Sequence, residues 1–159
     1  MDLLLVLLRM AAGLAVWSVL IFISTFFHEL GHAIMYRLFS GGKDWKIILG
    51  SGRTIFAGKR LIINVWFILG GWVTWPDISA PKFHRILWYS GGFLFNIALA
   101  VLFFMLLQIS GSDIWQFALY FNIIQAAMTM TPMTYTFEPY SGMESDGLRI
   151  YRLIKDKEN

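Results

Sequence analysis

Between Leu3 and Phe27 the chain runs through about 25 residues with a single charge, Arg9. Few environments suit such a stretch. As a helix it is about 37 Å long, enough to cross the roughly 30 Å hydrocarbon layer of a bilayer with some tilt. In lipid the backbone must satisfy its own hydrogen bonds, which selects helix over open strand. Two further apolar runs follow, at about His84–Ile109 and Ile114–Met130. Of the 159 residues, 57% are hydrophobic and only 14% charged, far from the balance of a soluble domain. The expectation is a membrane protein, mainly α, with a three-transmembrane-helix core, folded as one domain over 1–159.

Residues 43–80 follow another pattern. Trp45–Leu49, Arg53–Ala57, Arg60–Leu69 and Trp72–Trp75 are short β-prone runs separated by Gly50-Ser51-Gly52, Gly58-Lys59 and Gly70-Gly71. That punctuation predicts hairpins, a small sheet between helices 1 and 2 at the membrane interface. The alternative, one more spanning helix at Leu61–Trp75, is opposed by Asn64, two glycines and β-branched residues. Trp45, Trp66, Trp72 and Trp75 suit an aromatic belt. Pro76–Pro81 reads as a turn. Beyond Pro132 the chain becomes polar and turn-rich, and Ser145–Lys155 reads as a short amphipathic helix with Leu148, Tyr151 and Ile154 on one side.

Charge placement predicts orientation. Twelve of the thirteen Lys and Arg residues lie between the first two runs or in the tail, and the Ser110–Asp113 link has none. By the positive-inside bias the N-terminus is outside, and the sheet and the C-terminal tail are cytosolic. The first run makes a poor secretory signal, since Met1-Asp2 carries no positive charge and the run is too long. The net charge of +3 gives no nucleic-acid signal, because the cations flank the membrane runs. The chain has no cysteine, so thiolate ligands and disulfides are excluded.

The first run ends in His28-Glu29-Leu30-Gly31-His32. On a helix, His28 and His32 stand one above the other on one face. Two imidazoles so placed can share a zinc ion, with Glu29 taking a proton from the water it activates. The pattern arises by chance in only roughly 0.2% of shuffled chains of this composition. Ionisable groups in a membrane helix are costly to keep, which also favours function over the alternative of interfacial histidines. A catalytic zinc takes three protein ligands. The third histidine, His84, sits beside Lys82 and Arg85 and reads as interfacial. Among the acids, Asp2 and Asp113 fall on the far side. Asp146 is followed by Gly147, which allows a close backbone approach, yet it equally suits an ordinary helix start.

These motifs, taken in order, resemble the site-2 protease family of intramembrane zinc metalloproteases. The elements are HELGH at the end of a membrane helix, Leu69-Gly70-Gly71-Trp72-Val73 closing a β segment, Gly92-x-x-x-Asn96, and Asp146-Gly147. The resemblance covers about residues 15–150. It implies one zinc ion per chain held by His28, His32 and Asp146, with Glu29 as catalytic base and Asn96 positioning substrate. It also implies a transmembrane or hydrophobic peptide as substrate. Phe93 stands where the family usually has proline, and Thr129-Met130-Thr131-Pro132 where Asn-x-x-Pro is common. The alternative function is a non-catalytic membrane protein of the same fold that sequesters a hydrophobic peptide. An intact Glu29 argues against it, since binding has no need of a base.

Overall fold

The computed structural model describes residues 3–67, 70–76 and 79–155. Four helices and four short strands follow one another along the chain. Helix α1 spans Leu3–Ser40, and strands β1 to β4 span Lys46–Leu49, Thr54–Ala57, Leu61–Asn64 and Gly71–Thr74. Helices α2, α3 and α4 span Lys82–Ser110, Asp113–Met130 and Asp146–Lys155. The expected helices are all present; α2, α3 and α4 lie within two residues of their predicted ends, and α1 runs on past the first apolar run to Ser40.

Helix α1 is continuous through the HELGH motif. Its first half leaves Leu3, Leu4, Leu7, Leu8, Met10 and Leu14 exposed, while burial begins at Leu20 and concentrates on Ser24, Thr25 and the motif. The N-terminal half is therefore the more exposed and the C-terminal half packs. Helix α2 starts after Pro81 and stops at Gly111, whose left-handed backbone (φ 64°) turns its N–H back to the Leu107 carbonyl. Among the described residues, α1 and α2 are the two helices long and apolar enough to cross a membrane. Helix α3 falls short of that standard, so the predicted three-helix core rests on two spans by composition. The reason is its polar content, Gln116, Asn122 and Gln125 among 18 residues.

The sheet corrects the expectation of simple hairpins. Its order is β2-β3-β1-β4. Strands β2 and β3 do form an antiparallel hairpin, but β3 inserts beside β1 in parallel, with Ile47 opposite Leu61. Strand β4 then pairs antiparallel with the other side of β1. Asn64 locks this arrangement. Its amide donates to the Gly50 carbonyl and its oxygen accepts from the Thr54 hydroxyl, both at 2.9 Å. The predicted run Arg60–Leu69 holds strand only to Asn64, and its end at 68–69 lies outside the described residues. So does Asp77-Ile78 of the predicted Pro76–Pro81 turn. No α-helix forms at Leu61–Trp75 among its described residues.

One face of the sheet packs on α1. Ile47 and Leu49 bury against Ala33, with Phe22, Phe26 and Leu30 around them. A second apolar cluster, Leu20, Phe103 and Ala118, joins α1, α2 and α3. Polar glue adds to it, since the Asn122 amide of α3 donates to Ser24 of α1 at 2.9 Å.

Candidate metal centre

Three elements deliver the site. Helix α1 supplies His28, Glu29 and His32 from one buried face about 12 Å before its end. Helix α2 crosses α1 with glycines at the closest point. An ideal Cβ on Gly31 would lie 2.4 Å from the Gly91 carbonyl oxygen, and one on Gly92 would lie 2.4–2.5 Å from the rings of His28 and His32. Gly91 thus serves helix packing, and Gly92 clears room for the imidazoles.

Helix α4 brings the carboxylate. Ser145 caps it, its hydroxyl accepting from the Leu148 N–H at 3.1 Å and donating to the Thr131 carbonyl at 2.7 Å. A Cβ on Gly147 would collide with the Met130 carbonyl, 1.9 Å away, so only glycine lets the first turn of α4 press against the end of α3. Asp146 is therefore both a helix-start acid and a member of the cluster.

Three donor atoms converge. Asp146 Oδ2 lies 3.2 Å from His32 Nε2 and 3.5 Å from His28 Nε2, and the two nitrogens are 3.2 Å apart. Among the described residues this is the one group of three or more His and acidic residues placed to hold a metal. A tetrahedral ion about 2.0–2.1 Å from each donor sets its donors about 3.3–3.4 Å apart, so the triangle fits zinc. The tautomer fits as well. His32 Nδ1–H donates to the Trp88 carbonyl at 2.8 Å, which leaves the Nε2 lone pair facing the centre. When the imidazoles are protonated instead, burial would raise the Asp146 pKa, but attraction to His32 and hydrogen bonds from both rings outweigh it. The carboxyl is held well below its ordinary range.

A family model described as peptidase family M50 matches residues 16–149. The chain belongs to that family, the site-2 proteases. Comparison with curated proteins and with solved structures returns no match. Membership in M50 accords with the donor set, since the family is zinc-dependent.

In this M50 chain the centre opens into a cavity of about 330 Å³, lined by the motif, by Gly70–Val73, and by Gln125 and Arg149. Asn96 is not brought into it. It is fully buried on α2, one turn beyond Gly92, and neither amide atom has a hydrogen-bond partner among the described residues. His84 stands apart, against Phe39 and Phe83 at the start of α2.

Sequence reasoning missed the loop over the cavity. Residues 133–145 close on themselves through Tyr135 N–H to the Met143 carbonyl and a bridge between Thr134 and Glu144. Tyr135, Phe137 and Tyr140 form an aromatic trio with ring centroids 5.4–6.0 Å apart. Tyr140 reaches the edge strand, its hydroxyl donating to the Gly71 carbonyl at 3.4 Å. The neighbouring Gly70 carbonyl is taken by the Gly50 N–H within the sheet. Tyr140 thus caps the outward acceptor of β4. Burial, then the charges of Asp146 and Glu29, push the Tyr135 phenol up to about 12, and burial raises Tyr140 as well. Both stay neutral donors. The spacing of aromatics in a polar loop carried no signal for this role.

Proposed function

We propose that this chain is an intramembrane zinc endopeptidase that cuts a transmembrane or hydrophobic peptide. His28, His32 and Asp146 hold one zinc ion. When bound, zinc supplies Lewis acidity, activating water near neutral pH and polarising the scissile carbonyl. Glu29 is the general base, accepting the proton of the attacking water and passing it to the leaving amine. The observation that carries this reading is the 3.2–3.5 Å triangle of donors with Glu29 beside it on the same buried helix face.

Strand β4 offers a place for substrate. It is the sheet edge nearest the base, since a Cβ on Gly71 would lie 3.1 Å from Glu29 Cγ. An unwound peptide can add to this edge as a fifth strand, its backbone held and its amide carried to Glu29. Tyr140 must then release the Gly71 carbonyl. Asn96, buried outside the cavity with both amide atoms unpaired, is assigned to a substrate carbonyl that reaches it only once the cavity opens toward α2.

In this reading α3 is the third span. Its polar groups turn inward, Asn122 to Ser24 and Gln125 to the cavity, while Ile123 is exposed and Ile124 and Met128, also exposed, line the cavity's rim. The N-terminus lies outside, and the sheet, the inlet and the C-terminus are cytosolic. Metal analysis of the purified chain tests the centre. One zinc per chain is expected in wild type and in Glu29→Gln, and background levels in His32→Ala and Asp146→Ala. Equal zinc in all four would remove the ligand assignment.

A further inference from the structure

A second cavity, of about 350 Å³, lies at the end of the sheet where β1 starts, β2 turns into β3 and β4 finishes, lined by Lys43, Lys46, Lys59 and Arg60 together with Trp45 and Asp44. Four cations against one carboxylate give it a net positive charge. Among the described residues none of the four forms an ion pair with an acid within 4 Å. Arg60 is held in place. Its guanidinium stacks over Trp45, 4.6 Å from the ring centroid, and donates to the Lys43 carbonyl at 3.3 Å. A guanidinium stacked on Trp45, with three lysines lining the same cavity, matches a tetrahedral oxyanion, which offers several acceptors at once. Without such an anion these like charges only repel one another.

Location narrows the source. Lys43 follows the end of α1 by three residues, so the cavity opens where the first apolar helix finishes. On the same hairpin β2 leaves Ile55 and Phe56 exposed, and Val65 and Trp66 are exposed at the far end of β3, apolar groups suited to the acyl boundary. We propose that Lys43, Lys46, Lys59 and Arg60 form a site for a phosphate group, supplied by the headgroup of an anionic lipid. The proposal rests on the reading that α1 and α2 cross the bilayer. It assigns the sheet a second task, anchoring the end that carries the β2–β3 turn to the inner leaflet while the open edge of β4 faces substrate.

Calorimetric titration of the full chain in neutral detergent tests it, with dihexanoyl phosphatidylglycerol, dihexanoyl phosphatidylcholine and inorganic phosphate as probes. Saturable binding is expected for phosphatidylglycerol and not for the zwitterionic lipid. Lys43→Gln and Lys59→Gln are each expected to weaken it about fivefold, and about 25-fold together, the scale of one basic residue at an anionic surface. Raised salt should weaken it further. Both lysines are exposed, and an unchanged melting curve confirms that the variants fold. If inorganic phosphate binds as tightly and responds to the same substitutions, the phosphate site stands and its ligand comes from solution. No saturable binding of either anion, or binding that the substitutions leave unmoved, overturns the proposal. Zinc content and peptide cleavage are read separately, so either reading can fail alone.

Discussion

Single residues decide whether the donors can meet. Gly92 is the clearest case, because any Cβ there would lie against both imidazoles. Gly92→Ala is expected to force the rings apart, costing about 1–3 kcal/mol by overpacking and abolishing zinc retention. Metal analysis alongside a melting curve checks both. Glu29→Gln should behave in the opposite way, keeping zinc while losing activity. His28, Glu29 and His32 were legible because their spacing on a helix is fixed by the 3.6-residue turn. Asp146 was legible only with the family pattern beside it. Its carboxyl reaches the imidazoles through the tertiary docking of α4, which no local periodicity encodes. The unpaired burial of Asn96 was likewise invisible in a bare G-x-x-x-N spacing.

At the scale of elements, the docking of α4 carries the third donor. Ser145→Ala removes the cap of Leu148 and the tie to Thr131, and is expected to cost about 1 kcal/mol and loosen metal binding. The measurement is zinc affinity by competition with a chelator, and an unchanged affinity would separate the cap from the centre. Because the Asp146 carboxyl is held below its ordinary value, its contribution to docking is fully present above about pH 4. That contribution fades as pH falls further, through the folded-state value. A second prediction concerns the capped edge of β4. Tyr140→Phe frees the Gly71 carbonyl, and cleavage at low substrate concentration is expected to rise. A fall would mean that the hydroxyl serves the reaction itself. Helix ends were legible because Pro81, Gly111 and the apolar runs mark them. The parallel insertion of β3 between β2 and β1 was not, since alternation and turn residues predict strands but not their partners.

For the whole molecule, topology is the open consequence. The absence of cysteine allows single reporter cysteines with no background. Ser112→Cys, in the link between α2 and α3, should react with a membrane-impermeant maleimide added from outside. Lys59→Cys should react only after permeabilisation. Labelling of both from the same side would contradict the crossing of α2. Composition made the membrane class plain, while the third span depends on which way α3 turns its polar groups.

The central claim is that a buried base on α1, beside three converging donors, splits peptide bonds within the membrane. Its most direct test is mass-spectrometric analysis of a model transmembrane peptide co-reconstituted with the zinc-loaded chain. Wild type is expected to release two defined fragments, and Glu29→Gln, at equal zinc content, to be slower by about 10²–10⁴-fold. Equal cleavage by the two proteins would contradict the account.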